Sequence, residues 1–248
     1  YHGKKPQNDL ILIVEDLKKW HTDNLTINKE DYSLIGKVYL SVASIKRIKG
    51  LNKITYVSNI KSNGEVFKYG VIEEKDFIRG LNSWENIFLA GRFHKPTLEL
   101  KSNKKISNAI LKDRESALIV ACLLSLPRTS LRDLYIKLFG LSYYGDTRMA
   151  FAENPNKVQN IVYGNFEYLE EIYSAIGSKY PFLERKDDIL IIDHDAILDN
   201  VELLPPSLLS FLIVNCTDIT DIIQVRKNIF KFFRQKNAEE SMYQTVSS

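Results

Sequence analysis

Asp9-Leu10-Ile11-Leu12-Ile13-Val14 is a short apolar run led by an acid, the pattern of a buried strand with one functional end. Downstream, residues 53–59 are rich in β-branched and aromatic side chains, and Ser62-Asn63-Gly64 reads as a polar turn. Residues 65–72 form another strand, so the pair predicts a hairpin. Residues 76–89 place Phe77, Leu81, Trp84 and Phe88 three or four apart, which predicts a helix. Residues 97–101 predict one more short strand. This alternation makes residues 1–105 an α/β domain.

From Ser107 the texture changes. Residues 110–126 predict a strongly apolar helix ended by Pro127. Thr129-Ser130 cap a second helix that reaches Leu138, with Gly140 as its stop. A third helix is predicted over 157–176, and two strands over 182–193 around a turn at 185–188. Helices followed by a hairpin are the element order of a winged helix over residues 106–200, although the pattern fits a small helical bundle equally well. Residues 201–248 end in a helix over 217–236, where Ile219, Ile222, Ile223, Ile229, Phe230 and Phe233 make an apolar stripe. Arg226, Lys227, Lys231, Arg234 and Lys236 flank it with no acid among them. There is no internal repeat or low-complexity stretch.

Composition narrows the class. Of 248 residues 44% are hydrophobic and 26% charged, ordinary for a folded domain, and a net charge of +3 does not mark a nucleic-acid binder. Cys122 and Cys216 each lie in an apolar run and read as buried thiols, not as a disulfide or half of a zinc site. No run is long and apolar enough to span a bilayer, and the polar residues 1–8 do not read as a signal peptide.

Chemistry-bearing residues recur in short clusters. Asp9 follows a stretch with Gly3, Lys4 and Lys5, where phosphoryl-transfer enzymes place a magnesium ligand; alone, a strand-leading acid is more often a turn or capping residue. Trp20-His21 with Asn24 and Asn28, then Tyr32-Ser33, concentrate hydrogen-bonding groups. Lys68-Tyr69-Gly70 sets a lysine inside an apolar strand. Gly91-Arg92 and Lys95-Pro96 place two cations after a helix. Ser142-Tyr143-Tyr144-Gly145-Asp146-Thr147-Arg148 packs glycine, acid and arginine into one turn, and Asn154-Pro155 leads into Lys157 and Asn160. Each cluster has a plain structural explanation, such as a cap, a surface ion pair or a snorkelling lysine. Together they supply cations for a triphosphate and an acid for its metal.

These motifs, in order, resemble the mitochondrial translocator assembly and maintenance family, soluble CDP-diacylglycerol synthases (phosphatidate cytidylyltransferases) with bacterial and mitochondrial members. The resemblance rests on Asp9-Leu10-Ile11, Trp20-His21 with Asn24, Tyr32-Ser33, Lys68-Tyr69-Gly70-Val71 and Ala90-Gly91-Arg92 with Lys95-Pro96. It continues through Leu141-Ser142-Tyr143 with Gly145-Asp146 and Arg148, then Asn154-Pro155 with Lys157-Val158 and Asn160-Ile161-Val162. Beyond residue 165 it is loose. Asp31 stands where the family has a histidine, and Phe93-His94 replace a Leu-Gln pair. The family's Gly-Ser nucleotide element does not occur near Tyr1, so the sequence reads as one that begins inside the catalytic domain.

The resemblance implies a nucleotidyltransferase fold over residues 1–105, and magnesium-dependent attack of phosphatidic acid on CTP. It implies Asp9 as the metal ligand, with Lys68, Arg92 and Lys95 as phosphate cations. Asp146 would be a supporting acid that orients Arg148, and His21, Asn24, Tyr69, Ser142, Tyr143, Lys157 and Asn160 would line the pocket. The enzyme would be peripheral, on the cytoplasmic face of a bacterial membrane or the matrix side of the mitochondrial inner membrane. Residues 217–236, a rod of about 30 Å, would dock on an anionic surface through Arg226, Lys227, Phe230, Lys231, Phe233 and Arg234; the alternative is a helix packed on the protein's own core with its lysines in solvent. The alternatives are a nucleotidyltransferase with a non-lipid acceptor and a winged-helix nucleic-acid module. The second fits poorly, because the candidate recognition helices mix charges and one carries Glu167, Glu170 and Glu171.

Overall fold

A computed structural model describes residues 8–31, 54–62, 64–101, 103–146 and 154–247. The chain divides into two compact units, Tyr1–Phe77 and Ile78–Ser248. The divisions expected near residues 105 and 200 therefore fall inside the second.

In the first unit, strand β1 (Asn8–Val14) leads to helix α1 (Leu17–Ile27), then to strands β2 (Thr55–Ser62) and β3 (Glu65–Glu73). The sheet order is β1-β3-β2. β2 and β3 form the expected antiparallel hairpin, turning at Gly64 with φ 75°, a conformation glycine adopts without steric cost. β1 lies parallel to β3, which requires a crossover connection; α1 lies within it. Asp16 caps that helix by accepting from the Lys19 amide at 2.8 Å. Leu17, Val57, Tyr69 and Val71 form a small core, with Leu10, Leu12, Trp20 and Leu25 against it.

Past β3 the predicted helix over 76–89 is two helices, α2 (Glu74–Ser83) and α3 (Ile87–Phe93). Trp84 breaks them with φ 57°, an uncommon conformation for a bulky residue. The break is held by tertiary contacts: the indole is fully buried and its Nε1 donates to Asp113 at 2.7 Å. Asn86 then caps α3 through the Leu89 amide. Residues 97–101 form no strand.

Helix α4 (Lys104–Leu124) is the axis of the second unit. Ala117 through Leu123 are buried without interruption, so this half is covered all round. A short strand β4 (Arg128–Ser130) follows, then α5 (Leu131–Gly140), with Ser130 as its N-cap. The expected helix over 157–176 is again two, α6 (Lys157–Gly164) and α7 (Phe166–Gly177). They part at Asn165, whose side chain turns back onto the Ile161 carbonyl. The hairpin β5 (Leu183–Lys186) and β6 (Ile189–Ile192) appears where expected, and β4 joins it in the antiparallel order β4-β6-β5.

Helices α8 (His194–Leu198), α9 (Pro206–Asn215) and α10 (Ile222–Ser247) complete the unit. Here the sequence expectation needs correction. The α10 residues Val225, Ile229, Phe232 and Phe233 are buried in the main core, with the Phe233 ring against Trp84, Tyr144 and Phe232. Arg226 donates to the backbone carbonyls of Leu123 and Ser125, closing the end of α4. Phe233 and Arg226 thus serve the fold and do not face a membrane. Most of the apolar stripe docks on protein because α9, α3 and α4 offer it a matching apolar surface, while Ile223 stays exposed. Lys227, Lys231 and Arg234 remain exposed, and Phe230 is 37% exposed. Among the described residues, no helix is long and apolar enough to cross a membrane.

Candidate functional site

In the first unit the parallel register sets Asp9 beside Lys68 and Leu10 beside Tyr69. Asp9 is exposed near the start of β1. The Lys68 ammonium lies 4.6 Å from the Tyr56 ring centroid, a cation–π distance. One face of α1 joins this sheet. Asn24 Nδ2 donates to the Tyr69 hydroxyl at 2.9 Å, and Asn28 Nδ2 donates to Asn24 Oδ1 at 2.8 Å, so Asn24 is fixed from both sides. Trp20 packs edge-on against Tyr69 and His21. His21 is 1% exposed, and burial pushes its pKa down to about 4, so the imidazole is neutral at physiological pH. The structure thus brings together His21, Asn24 and Tyr69 on neighbouring elements, with Asp9 and Lys68 paired along the adjoining strands.

In the second unit the cations gather around one tyrosine. Lys95 Nζ donates to the Tyr143 hydroxyl at 3.0 Å. Its ammonium and that of Lys157 lie 5.1 and 5.6 Å from the same ring centroid. The two ammonium groups thus share one aromatic ring. Arg92 stacks on Phe88, 4.7 Å from the centroid. Gly91 lets α3 approach the turn carrying Ser142: a Cβ there would meet Ser142 Cβ at 2.3 Å. Asn160 lies exposed on α6, one turn beyond Lys157.

Asp146 is buried beside Gly145, whose φ is 82°. A Cβ on that glycine would strike Arg234 Cα at 2.6 Å, so α10 passes directly over this turn. Asn237 Nδ2 donates to the carbonyls of Leu141 and Tyr144, tying the same turn to α10. Arg148, with which Asp146 was expected to act, lies outside the described residues, as do Tyr32 and Ser33.

Sequence reading missed the groups that hold Lys95 in place. Arg114 donates through Nε to the Phe93 carbonyl at 2.9 Å, and through Nη2 to the Lys95 carbonyl at 3.1 Å. The Tyr173 hydroxyl donates to the intervening His94 carbonyl at 2.6 Å. Beneath them, buried Asp113 accepts from Trp84 and lies 3.3 Å from His94 Nε2. Burial raises the Asp113 pKa, against the opposing pull of His94, Trp84 and Arg114. The available signal was spacing: Asp113 falls on the apolar face of α4, between Ile110 and Ala117, where an acid needs a partner.

The second unit therefore carries a rigidly held cationic cluster, and the first an exposed carboxylate beside a lysine, in a mixed α/β protein. Such parts suit a protein that handles phosphate-bearing ligands. Residues 1–247 match the family described as "Phosphatidate cytidylyltransferase, mitochondrial", and the chain belongs to that family. It is 37% identical over 180 residues to the Dictyostelium discoideum protein of that name, covering 70% of this chain and 42% of the relative. It is 36% identical over 185 residues to the Mus musculus protein, covering 73% and 54%. With the Caenorhabditis elegans protein it shares 29% over 240 residues, covering 95% and 71%. The chain spans about half the length of the first two relatives. All three are eukaryotic proteins named mitochondrial, so nothing in them supports the bacterial alternative.

Proposed function

We propose that this chain performs the reaction for which its relatives are named, transfer of a cytidylyl group from CTP to phosphatidic acid. A non-bridging oxygen of the phosphatidate phosphate forms a bond to the α-phosphorus of CTP. The bond from that phosphorus to the β-phosphate oxygen breaks, and pyrophosphate leaves with the electron pair. CDP-diacylglycerol is the product, a precursor for phospholipid and cardiolipin synthesis on the matrix side of the mitochondrial inner membrane. The observation that carries this reading is the convergence of Lys95 and Lys157 on Tyr143, on main chain pinned at three successive carbonyls. Phosphoryl transfer asks a protein mainly for positioning and neutralisation of charge. In this reading Lys95, Lys157 and Arg92 bind phosphate oxygens, with Ser142 and Asn160 beside them. Taken by itself, the first unit offers a phosphate the Lys68 ammonium and a nucleotide the polar groups of Asn24 and Tyr69, with neutral His21 beside them.

The donor set suits magnesium. Among the described residues no three His, Cys, Asp or Glu side chains could hold a metal by themselves, and Mg²⁺ characteristically binds one or two carboxylates with substrate phosphates and water. Asp9, exposed at the strand start, is the proposed protein ligand. When bound, the ion would neutralise phosphate charge. The parallel pairing of β1 and β3 supports a nucleotidyltransferase sheet in residues 1–105. The helix order and the β4-β6-β5 sheet support a winged-helix-like arrangement in residues 106–200. The exposed cations Lys227 and Arg234 could meet an anionic membrane, with Phe230 beside them, whereas Lys231 is engaged by Asn215.

The test is thin-layer detection of CDP-diacylglycerol from labelled CTP, with and without phosphatidic acid. Product is expected only with the lipid acceptor. Asp9→Asn should lower turnover by about 100-fold or more, leaving the thermal midpoint nearly unchanged because the side chain is exposed. Lys95→Ala and Lys157→Ala should each lower kcat/KM by about 10–100-fold, the value of a charge-assisted hydrogen bond. Labelled cytidylate appearing on a water-soluble acceptor and never on phosphatidic acid would assign a different substrate.

A further inference from the structure

The loop between α3 and α4 presents two leucines to solvent, Leu98 at 83% exposure and Leu100 at 77%. Single exposed leucines are common and call for no explanation. These two differ because the chain around them is fastened. On one side Arg114 holds the Lys95 carbonyl and the Thr97 hydroxyl. On the other, the Asn103 side chain accepts from the Lys105 amide, starting α4. Between the leucines, Glu99 is turned back to accept from Ser107 Oγ at 2.8 Å. Glu99 is exposed like its neighbours, but its carboxylate is engaged by Ser107 at the start of α4.

The flank of this tip is cationic. Lys101, Lys104 and Lys105 are all exposed, and the first turn of α4 carries no acid. Cations at a helix N-terminus oppose its dipole, so helix stability does not account for the two lysines there. Apolar tips bordered by lysines match the interface of an anionic bilayer, where leucines enter the acyl boundary and lysines meet headgroups. Charge decides the occupant: an anionic lipid surface complements this edge, whereas a second copy would bring like charges together.

We infer that Leu98 and Leu100, with Lys101, Lys104 and Lys105, dock the protein on an anionic phospholipid surface. The inference rests on the lipid-acceptor reading above for its purpose. Lys95 precedes Leu98 by three residues, so a headgroup could reach the cationic cluster while its acyl chains stay in the bilayer. The contact is separate from α10, whose Val225, Ile229, Phe232 and Phe233 are taken up by the core.

Vesicles of equal parts phosphatidylcholine and phosphatidylglycerol test it, because the anionic lipid is then not the proposed substrate. In the Leu98→Trp protein, the introduced indole should be quenched by brominated acyl chains in those vesicles. Leu98→Ser combined with Leu100→Ser should lower partitioning by about tenfold or more, with an unchanged melting temperature. That pair should also lose activity on bilayer phosphatidate while keeping it on a short-chain soluble phosphatidate. An unquenched indole, or unchanged partitioning of the serine pair, overturns the proposal. So does self-association in the absence of lipid that the serine pair abolishes, which would assign the leucines to a second copy. Quenching in a protein that makes no CDP-diacylglycerol would uphold the docking surface and refute the enzymatic reading alone. Activity without quenching would do the reverse.

Discussion

The first unit, residues 1–77, and the second, 78–248, hold their polar residues in different ways. In the first, a core of Leu17, Val57, Tyr69 and Val71 supports one sheet, and Asp9 stands exposed on its strand. In the second, the C-terminal half of α4, Ala117 through Leu123, is buried all round, and Lys95 stands on main chain fixed by Arg114 and Tyr173. Chemistry and stability should therefore separate in the first unit and be entangled in the second. Substitution of Asp9 should silence the protein without unfolding it. Substitution of the groups beneath Lys95 should do both.

The hardest blow to the second unit should come through α10. Phe233 is 0% exposed and meets three aromatic rings, so Phe233→Ala should cost about 3–5 kcal/mol in denaturant unfolding. Truncation before Thr217 should leave no cooperative transition, because it strips Val225, Ile229, Phe232 and Phe233 from the core together. A truncated chain that still melts cooperatively would place α10 outside the folding unit and return its stripe to the membrane.

That helix also marks where the sequence ceased to be legible. A basic amphipathic helix looks the same whether its stripe meets lipid or protein; what decides is the apolar face opposite, assembled from α9, α3 and α4. The break at Trp84 was hidden for a similar reason. Helical spacing runs through it, and the partner that stabilises the turn, Asp113, is 29 residues away. By contrast, the hairpin of β2 and β3 was readable because its alternation and its turn glycine are local. Among candidate site residues, Lys95, Tyr143 and Lys157 could be picked as types and then brought together by the structure. Arg114 and Tyr173 could not, since they act through backbone carbonyls that carry no sequence signature.

A smaller effect should come from Gly91. Adding a methyl group at this helical position gains propensity, but the new Cβ would lie 2.3 Å from Ser142 Cβ, a contact that forces the turn to shift. Gly91→Ala should therefore destabilise the second unit by about 1–3 kcal/mol and lower activity by displacing Tyr143. Adding Ser142→Gly removes the obstructing atom and should recover much of the stability. If the double variant is no more stable than Gly91→Ala alone, the close approach is not what demands glycine.

The smallest effect belongs to the first unit and depends on pH. Burial holds His21 at a pKa of about 4, against about 6.5 in an unfolded chain. Between those values the unfolded state binds more protons, so stability rises with pH across the window. The contribution is complete above about pH 6.5 and is lost as pH falls towards about 4. Amide exchange in β3 should accordingly quicken on going from neutral to mildly acidic solution, after correction for the intrinsic rate. Exchange in α4 should not follow the same course through His21, which belongs to the other core. His21→Gln keeps a polar side chain of similar reach that does not titrate, and should flatten the response of β3. If β3 keeps its full pH dependence in that variant, the titrating group is another one, and His21 does not govern how the first unit responds to acid.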